Sequence, residues 1–240
     1  MKRFWELVPL AKLTRAFLTI QVARDGDEGE DNFVPLLCQA SPRIRSLRLT
    51  FSDRADFNEE DRNIHKISAE TFEYLSRLPL DEYLFLGSTR FDFDNAWAMI
   101  ARTWPALCDI RCLHQPTSLA EFLHLSAALP KLFQIECDLG LEQAIRTVRP
   151  NWEPVSGSQY FPNIHTLTIK DSELREHASS YEYNLSDLAR FFAYFWPNMR
   201  IQSTSAYSRR DYEDETWKYN QALFHMFQKL VDAHVKSFYH

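Results

Sequence analysis

Residues 104–112, WPALCDIRC, set a rhythm of apolar and polar positions that returns along the whole chain. An aromatic–proline pair leads, and apolar residues follow at Leu107, Ile110 and Cys112. With Ile110 as the centre and an apolar partner two residues on, the matching pairs are Leu18/Ile20, Leu47/Leu49, Leu84/Leu86, Ile110/Cys112, Ile135/Cys137 and Leu167/Ile169. A degenerate seventh unit falls near Gln202. Proline stands five residues before the centre at Pro42, Pro79, Pro105, Pro130, Pro162 and Pro197. Three residues before the centre is Ile44, Leu107, Leu132 or Ile164, with Asp81 the exception. Successive centres lie 25 to 37 residues apart, a period that signals a repeat architecture.

Each part of the phrase has a physical meaning. Apolar, polar, apolar after the proline is the period of a half-buried strand. Before the proline the spacing is helical: Ala96, Trp97, Met99 and Ile100 within Asp94–Thr103, and Leu119, Phe122, Leu123 and Leu125 within Ser118–Leu129. A third helix is expected over Asn184–Trp196, carrying Leu185, Leu188, Phe191, Phe192 and Phe195. Ser118 with Glu121 makes a capping box, and Asn184 with Asp187 a weaker version of it. Proline then stops the helix and biases the preceding residue towards an extended backbone. The expected unit is helix, proline, strand, with parallel strands side by side and helices outside. Repeats are expected over about residues 10–207 of a single domain, 1–240. Arg24–Asp31 reads as an acidic loop, and the charged segment Asp53–Arg62 and the Pro/Gly-rich segment Arg149–Tyr160 lengthen individual units. A closing helix is expected over about 215–237, where Leu223, Phe224, Met226, Phe227, Leu230, Val231 and His234 form one stripe.

Composition narrows the function. The net charge of −6 comes without clustered Lys or Arg, so a nucleic-acid partner is not expected. In MKRFWELVPLAKLTRAFLTI, the residues Glu6, Pro9, Lys12 and Arg15 interrupt every apolar run, which speaks against a signal peptide or a membrane helix. Four cysteines in 240 residues do not make a disulfide framework, and a cytoplasmic or nuclear setting is expected. The rings are abundant, with 18 Phe, 10 Tyr and 6 Trp, and large rings serve both cores and binding surfaces.

Chemistry of sites adds little. Cys108, Cys112, His114 and Cys137 suggest a metal site at first sight. However, Cys112 and Cys137 occupy the repeat position of Leu49, Leu86 and Ile169, so they read as small core hydrophobes. No phosphate loop, G-x-S-x-G elbow or H-E-x-x-H pair occurs, and no enzyme, metal or cofactor is expected. What remains is the outward side of the strands, whose alternating positions include Ser46, Arg48, Thr50, Tyr83, Phe85, Gly87, Asp109, Arg111 and Leu113. Its expected partner-binding residues are Arg48, Tyr83, Phe85, Asp109, Arg111, Glu136, Thr168 and Lys170. Tyr83, Phe85 and Arg111 lead, because aromatic and Arg residues are enriched at hot spots.

Repeats of L-x-x-L-x-L with an intervening helix resemble leucine-rich repeats. The lead-ins Leu78-Pro79, Trp104-Pro105, Leu129-Pro130, Phe161-Pro162 and Trp196-Pro197 resemble the irregular repeats of fungal F-box-like proteins. The resemblance implies an α/β solenoid, a horseshoe with parallel strands on its concave face and a C-terminal capping helix. It also implies a protein-binding scaffold that recognises substrates for a ubiquitin ligase. Ligase core subunits are expected as further partners if an F-box is supplied upstream of Met1. The alternative is a structural or self-associating repeat protein with no ligase link.

Overall fold

A computed structural model describes residues 10–22, 33–53, 64–140, 143–144, 147–148, 160–161, 163–169, 182–203 and 215–239. The chain is α/β, and it groups into two compact units, residues 1–115 and 116–240. Lys170 and the segments 24–31, 54–62 and 149–159 lie outside the described residues.

In the first unit, strands β1 (Arg15–Val22), β2 (Ser46–Asp53), β4 (Tyr83–Gly87) and β6 (Asp109–Thr117) pair in parallel in that order. Helices α1 (Phe33–Ala40), α2 (Ala69–Leu75) and α3 (Ala96–Thr103) alternate with them along the chain. A small parallel pair, β3 (His65–Ile67) with β5 (Thr89–Phe91), is an addition that the periodicity does not foretell. Leu47, Leu49, Leu84, Leu86, Ile110 and Cys112 are at most 1% exposed, so one face of the strands is sealed by core. Register sets Leu47 beside Leu84 and Leu84 beside Ile110, the equivalence read from the repeat. It corrects the first unit, because Ala16 and Leu18, not Leu18 and Ile20, stand opposite Leu47 and Leu49.

The prolines do more than end helices. Backbone N–H of Ile44, Leu107 and Leu132 donates to the carbonyl three residues back, at Ser41, Trp104 and Leu129; Met199 does the same to Trp196. Each proline thus sits second in a hydrogen-bonded four-residue turn, where its fixed φ fits the backbone. The fourth residue of each turn is buried and starts the next layer of core. The Pro79 unit differs. Leu80 N–H donates to Leu78 O over a tighter turn, Leu80 takes the buried place, and Asp81 is released to pair with Arg45. Trp104 is buried as well, and its indole N–H donates to Leu78 O at 2.9 Å, so its polar atom is satisfied.

In the second unit, α4 (Leu119–Ala128) follows the last residues of β6, and β7 (Gln134–Leu139), β8 (Thr166–Ile169) and β9 (Arg200–Ser203) pair in parallel. The capping box of α4 is formed, with Ser118 Oγ accepting from Glu121 N–H and the Glu121 carboxylate accepting from Ser118 N–H. Helix α5 (Glu182–Phe195) begins two residues before Asn184, so Asn184 lies within the helix and is not its cap. Register pairs Leu167 with Ile201, which moves the centre of the last repeat from Gln202 to Ile201. A one-residue slip reverses which side chains face inwards, so this correction matters.

Helix α6 (Glu215–Tyr239) lies against α5 and β9. Phe227 meets Phe192 edge-on at 5.9 Å, and Gln228 Oε1 accepts from the N–H of Ile201 in β9. Phe224, Phe227 and Val231 are buried, whereas Met226, placed on the same stripe by sequence, is 42% exposed. At about 100° per residue, Met226 lies about 200° around the helix from Phe224, so its thioether faces outwards.

Candidate functional site

The side of the first unit's strands opposite the core is where the chain spends its unconstrained positions. Parallel register lines up Phe17, Arg48, Phe85 and Arg111 in one row across β1, β2, β4 and β6. A second row, Arg15, Ser46, Tyr83 and Asp109, runs beside it. Within these rows, rings and guanidinium groups interleave. The Arg48 guanidinium lies 4.3 Å from the centre of the Phe85 ring, and Arg111 lies 5.4 Å from that of Tyr83. The Tyr83 ring is 6.3 Å from Phe85 and 6.5 Å from Phe17. Such stacking is worth about 0.5–1 kcal/mol at an exposed site, enough to bias the orientation of a long side chain. Phe17 is 62% exposed, the most open large apolar side chain among the described residues.

Gly87 shapes this surface. It is paired with Thr50, and a Cβ at Gly87 would come 2.7 Å from Phe85 Cε1 and 3.0 Å from Thr50 Oγ1. The missing side chain leaves the space over which the Phe85 ring lies. The ring is therefore bedded on the strand and presents one side to Arg48.

Charge around the rows is mostly neutralised in place. Glu82 takes Arg15 at 3.0 Å and accepts from Ser46 Oγ at 2.6 Å. The Ser46 hydroxyl, then Arg15 and Arg45, hold the Glu82 carboxyl below its usual range despite partial burial. Arg45 grips Asp81 through both carboxylate oxygens. Arg111 holds Asp109 in the same two-pronged way, at 3.2 and 3.0 Å. Burial raises the Asp109 carboxyl, and Arg111 partly counters it. Arg48, by contrast, makes no ion pair among the described residues; its contact is the Phe85 ring.

Of the residues read from sequence, Arg48, Tyr83, Phe85 and Arg111 come together here. Asp109 does not belong to the open surface. It is 7% exposed, and its carboxylate turns to Arg111, so it positions the guanidinium and offers a partner little area. Glu136 and Thr168 are adjacent in register on β7 and β8 of the second unit. Glu136 is half-buried, but Thr168 is fully buried, a short side chain between the longer Glu136 and Gln202 on the flanking strands. Its hydroxyl has no hydrogen-bond partner among the described residues, and Thr168 is not an exposed contact. Phe17 is not among the residues expected from sequence, because its strand carries no proline lead-in to mark the unit. Alternation within Ala16-Phe17-Leu18 was the available signal.

No disulfide joins Cys38, Cys108, Cys112 or Cys137, and Cys38, Cys112 and Cys137 are buried. Burial pushes the Cys38 and Cys137 thiols up to about 12, so neither forms a thiolate near neutral pH. Among the described residues, no three His, Cys, Asp or Glu side chains gather as metal ligands, and no helix is long and apolar enough to cross a membrane. Comparison with protein-family models, with curated proteins and with solved structures finds no match to this chain.

Proposed function

We propose that the chain is a protein-binding leucine-rich-repeat scaffold, a solenoid whose strand face engages a protein, without catalysis. We further propose that it serves as the recognition part of an F-box-like ubiquitin-ligase adaptor. One observation carries the binding role: the row Phe17, Arg48, Phe85, Arg111 sets large rings and guanidinium groups side by side across four parallel strands. A surface with no partner would be expected to place small polar residues there, because exposed rings in a cluster invite association. The recurring helix, proline turn and parallel strand support the repeat class. The adaptor role rests on the proline lead-ins alone.

Affinity capture of the full chain from cells tests both roles. The expected result is recovery of ligase core subunits with the native chain and with Phe17→Ala/Phe85→Ala, and loss of a further partner with that double variant. Absence of ligase subunits from the native capture would remove the adaptor role and leave the scaffold standing.

A further inference from the structure

Arg48 differs from its neighbours in a way that specifies ligand chemistry. Arg15, Arg45 and Arg111 each have a carboxylate, so their charge is already spent within the fold. Arg48 is exposed, has the Phe85 ring as its one contact among the described residues, and stands in register between that ring and the open Phe17. A guanidinium held over a ring by its charge keeps its fork of N–H donors available to a ligand. Desolvating this cation under a partner without a counter-charge is costly, so a complementary ligand brings an anion. The rings on either side call for an apolar group next to that anion.

We infer that the Phe17–Arg48–Phe85 surface binds a peptide segment carrying a carboxylate side chain beside a large apolar one, with the carboxylate held by Arg48 and the apolar group packed between Phe17 and Phe85. This deepens the protein-binding role and rests on it. A carboxylate fits better than a phosphorylated side chain. A phosphate brings about −1.5 to −2 charges, and a single arginine without an ion pair among the described residues, beside already neutralised ones, leaves much of that charge uncompensated. Gly87 takes part indirectly, since the room it leaves positions the Phe85 ring and so Arg48 upon it.

The test is selection of random dodecamer peptides displayed on phage against the immobilised full chain, followed by fluorescence-anisotropy titration of the recovered peptides. Recovered sequences are expected to pair Asp or Glu with Phe, Leu, Trp or Tyr within two positions. Arg48→Ala is expected to weaken them about tenfold or more, the worth of a charge-assisted contact. Replacing the peptide's own carboxylate by its amide should cost a similar factor in the native chain and little further in Arg48→Ala. Gly87→Ala, which keeps every ring but displaces Phe85, should also weaken binding. Thermal unfolding of both variants at the native midpoint excludes loss of fold as the cause. Peptides that depend on Phe17 and Phe85 but are indifferent to Arg48 and to their own carboxylate would overturn the inference while leaving the binding face intact. Peptides indifferent to all of these residues, or none recovered, would overturn both. A phosphoserine peptide that binds tighter than its aspartate counterpart would overturn the choice of carboxylate.

Discussion

Leu86→Asp is expected to unfold the first unit, whereas aspartate one residue earlier, at Phe85, leaves it folded. Leu86 of β4 is 1% exposed and lies beside Leu49 of β2. Burying a carboxylate among leucines without a partner costs several kcal/mol or forces its protonation, comparable with a domain's whole stability of about 5–15 kcal/mol. Phe85 faces the other way. Its replacement gives up the Arg48 stacking, about 0.5–1 kcal/mol, and accepts a poor strand former, up to about 1 kcal/mol. A new ion pair with Arg48 returns at most about 1 kcal/mol. The net cost is at most about 2 kcal/mol. Amide hydrogen exchange in β2 and β6 reads the difference within the unit: protection lost in Leu86→Asp and retained in Phe85→Asp. Equal protection in the two variants would mean that the assigned facing of β4 is wrong.

Trp196→Ala is expected to be among the most damaging single changes in the second unit, at about 3–5 kcal/mol. The indole is fully buried, with the rings of Phe122, Phe192, Phe195 and Phe161 centred 4.6, 5.2, 5.7 and 6.0 Å away. Its N–H donates to Ser126 Oγ at 3.1 Å, and that hydroxyl donates onwards to Phe122 O. Removing the indole leaves Ser126 with its carbonyl acceptor, so the loss is mostly ring contact and cavity. Ser126→Ala does the reverse, keeping the packing and stranding the buried indole N–H, at about 1–3 kcal/mol. Hydrogen exchange of α5 should rank Trp196→Ala well above Ser126→Ala. The opposite order would show that the hydrogen bond, not the aromatic packing, holds α4 and α5 together.

Much of this architecture is legible in sequence because its causes are local. Alternation fixes which side of β4 and β7 is buried, Ser118 with Glu121 announces the start of α4, and Pro105 with Leu107 encodes a four-residue turn. Errors arise where a local pattern fits more than one register. Ala16, Leu18 and Ile20 are all apolar, so any even shift of β1 satisfies alternation, and only lateral pairing with β2 selects one. At β9 the proline offset shifts by one residue, which Asn198 and Arg200 do nothing to reveal.

The candidate site is less legible than the fold, because it exists only across strands. Phe17, Arg48, Phe85 and Arg111 are separated by whole repeats in sequence and become neighbours through register alone. Asp109 and Thr168 look like surface residues by alternation, yet the first is drawn down by Arg111 and the second is shaded by longer neighbours. Gly87 sits among the outward positions as an apparent blank. Its meaning lies in the ring beside it.

Photo-crosslinking in cells tests the binding face most directly. Benzoylphenylalanine placed at Phe17, and separately at the exposed Glu73 of α2, reports which surface touches another protein. The account predicts a discrete protein adduct from position 17, abolished by Phe85→Ala, and no such adduct from position 73. The same adduct from position 73, or none from position 17 when the chain is crosslinked elsewhere to its partner, would contradict it.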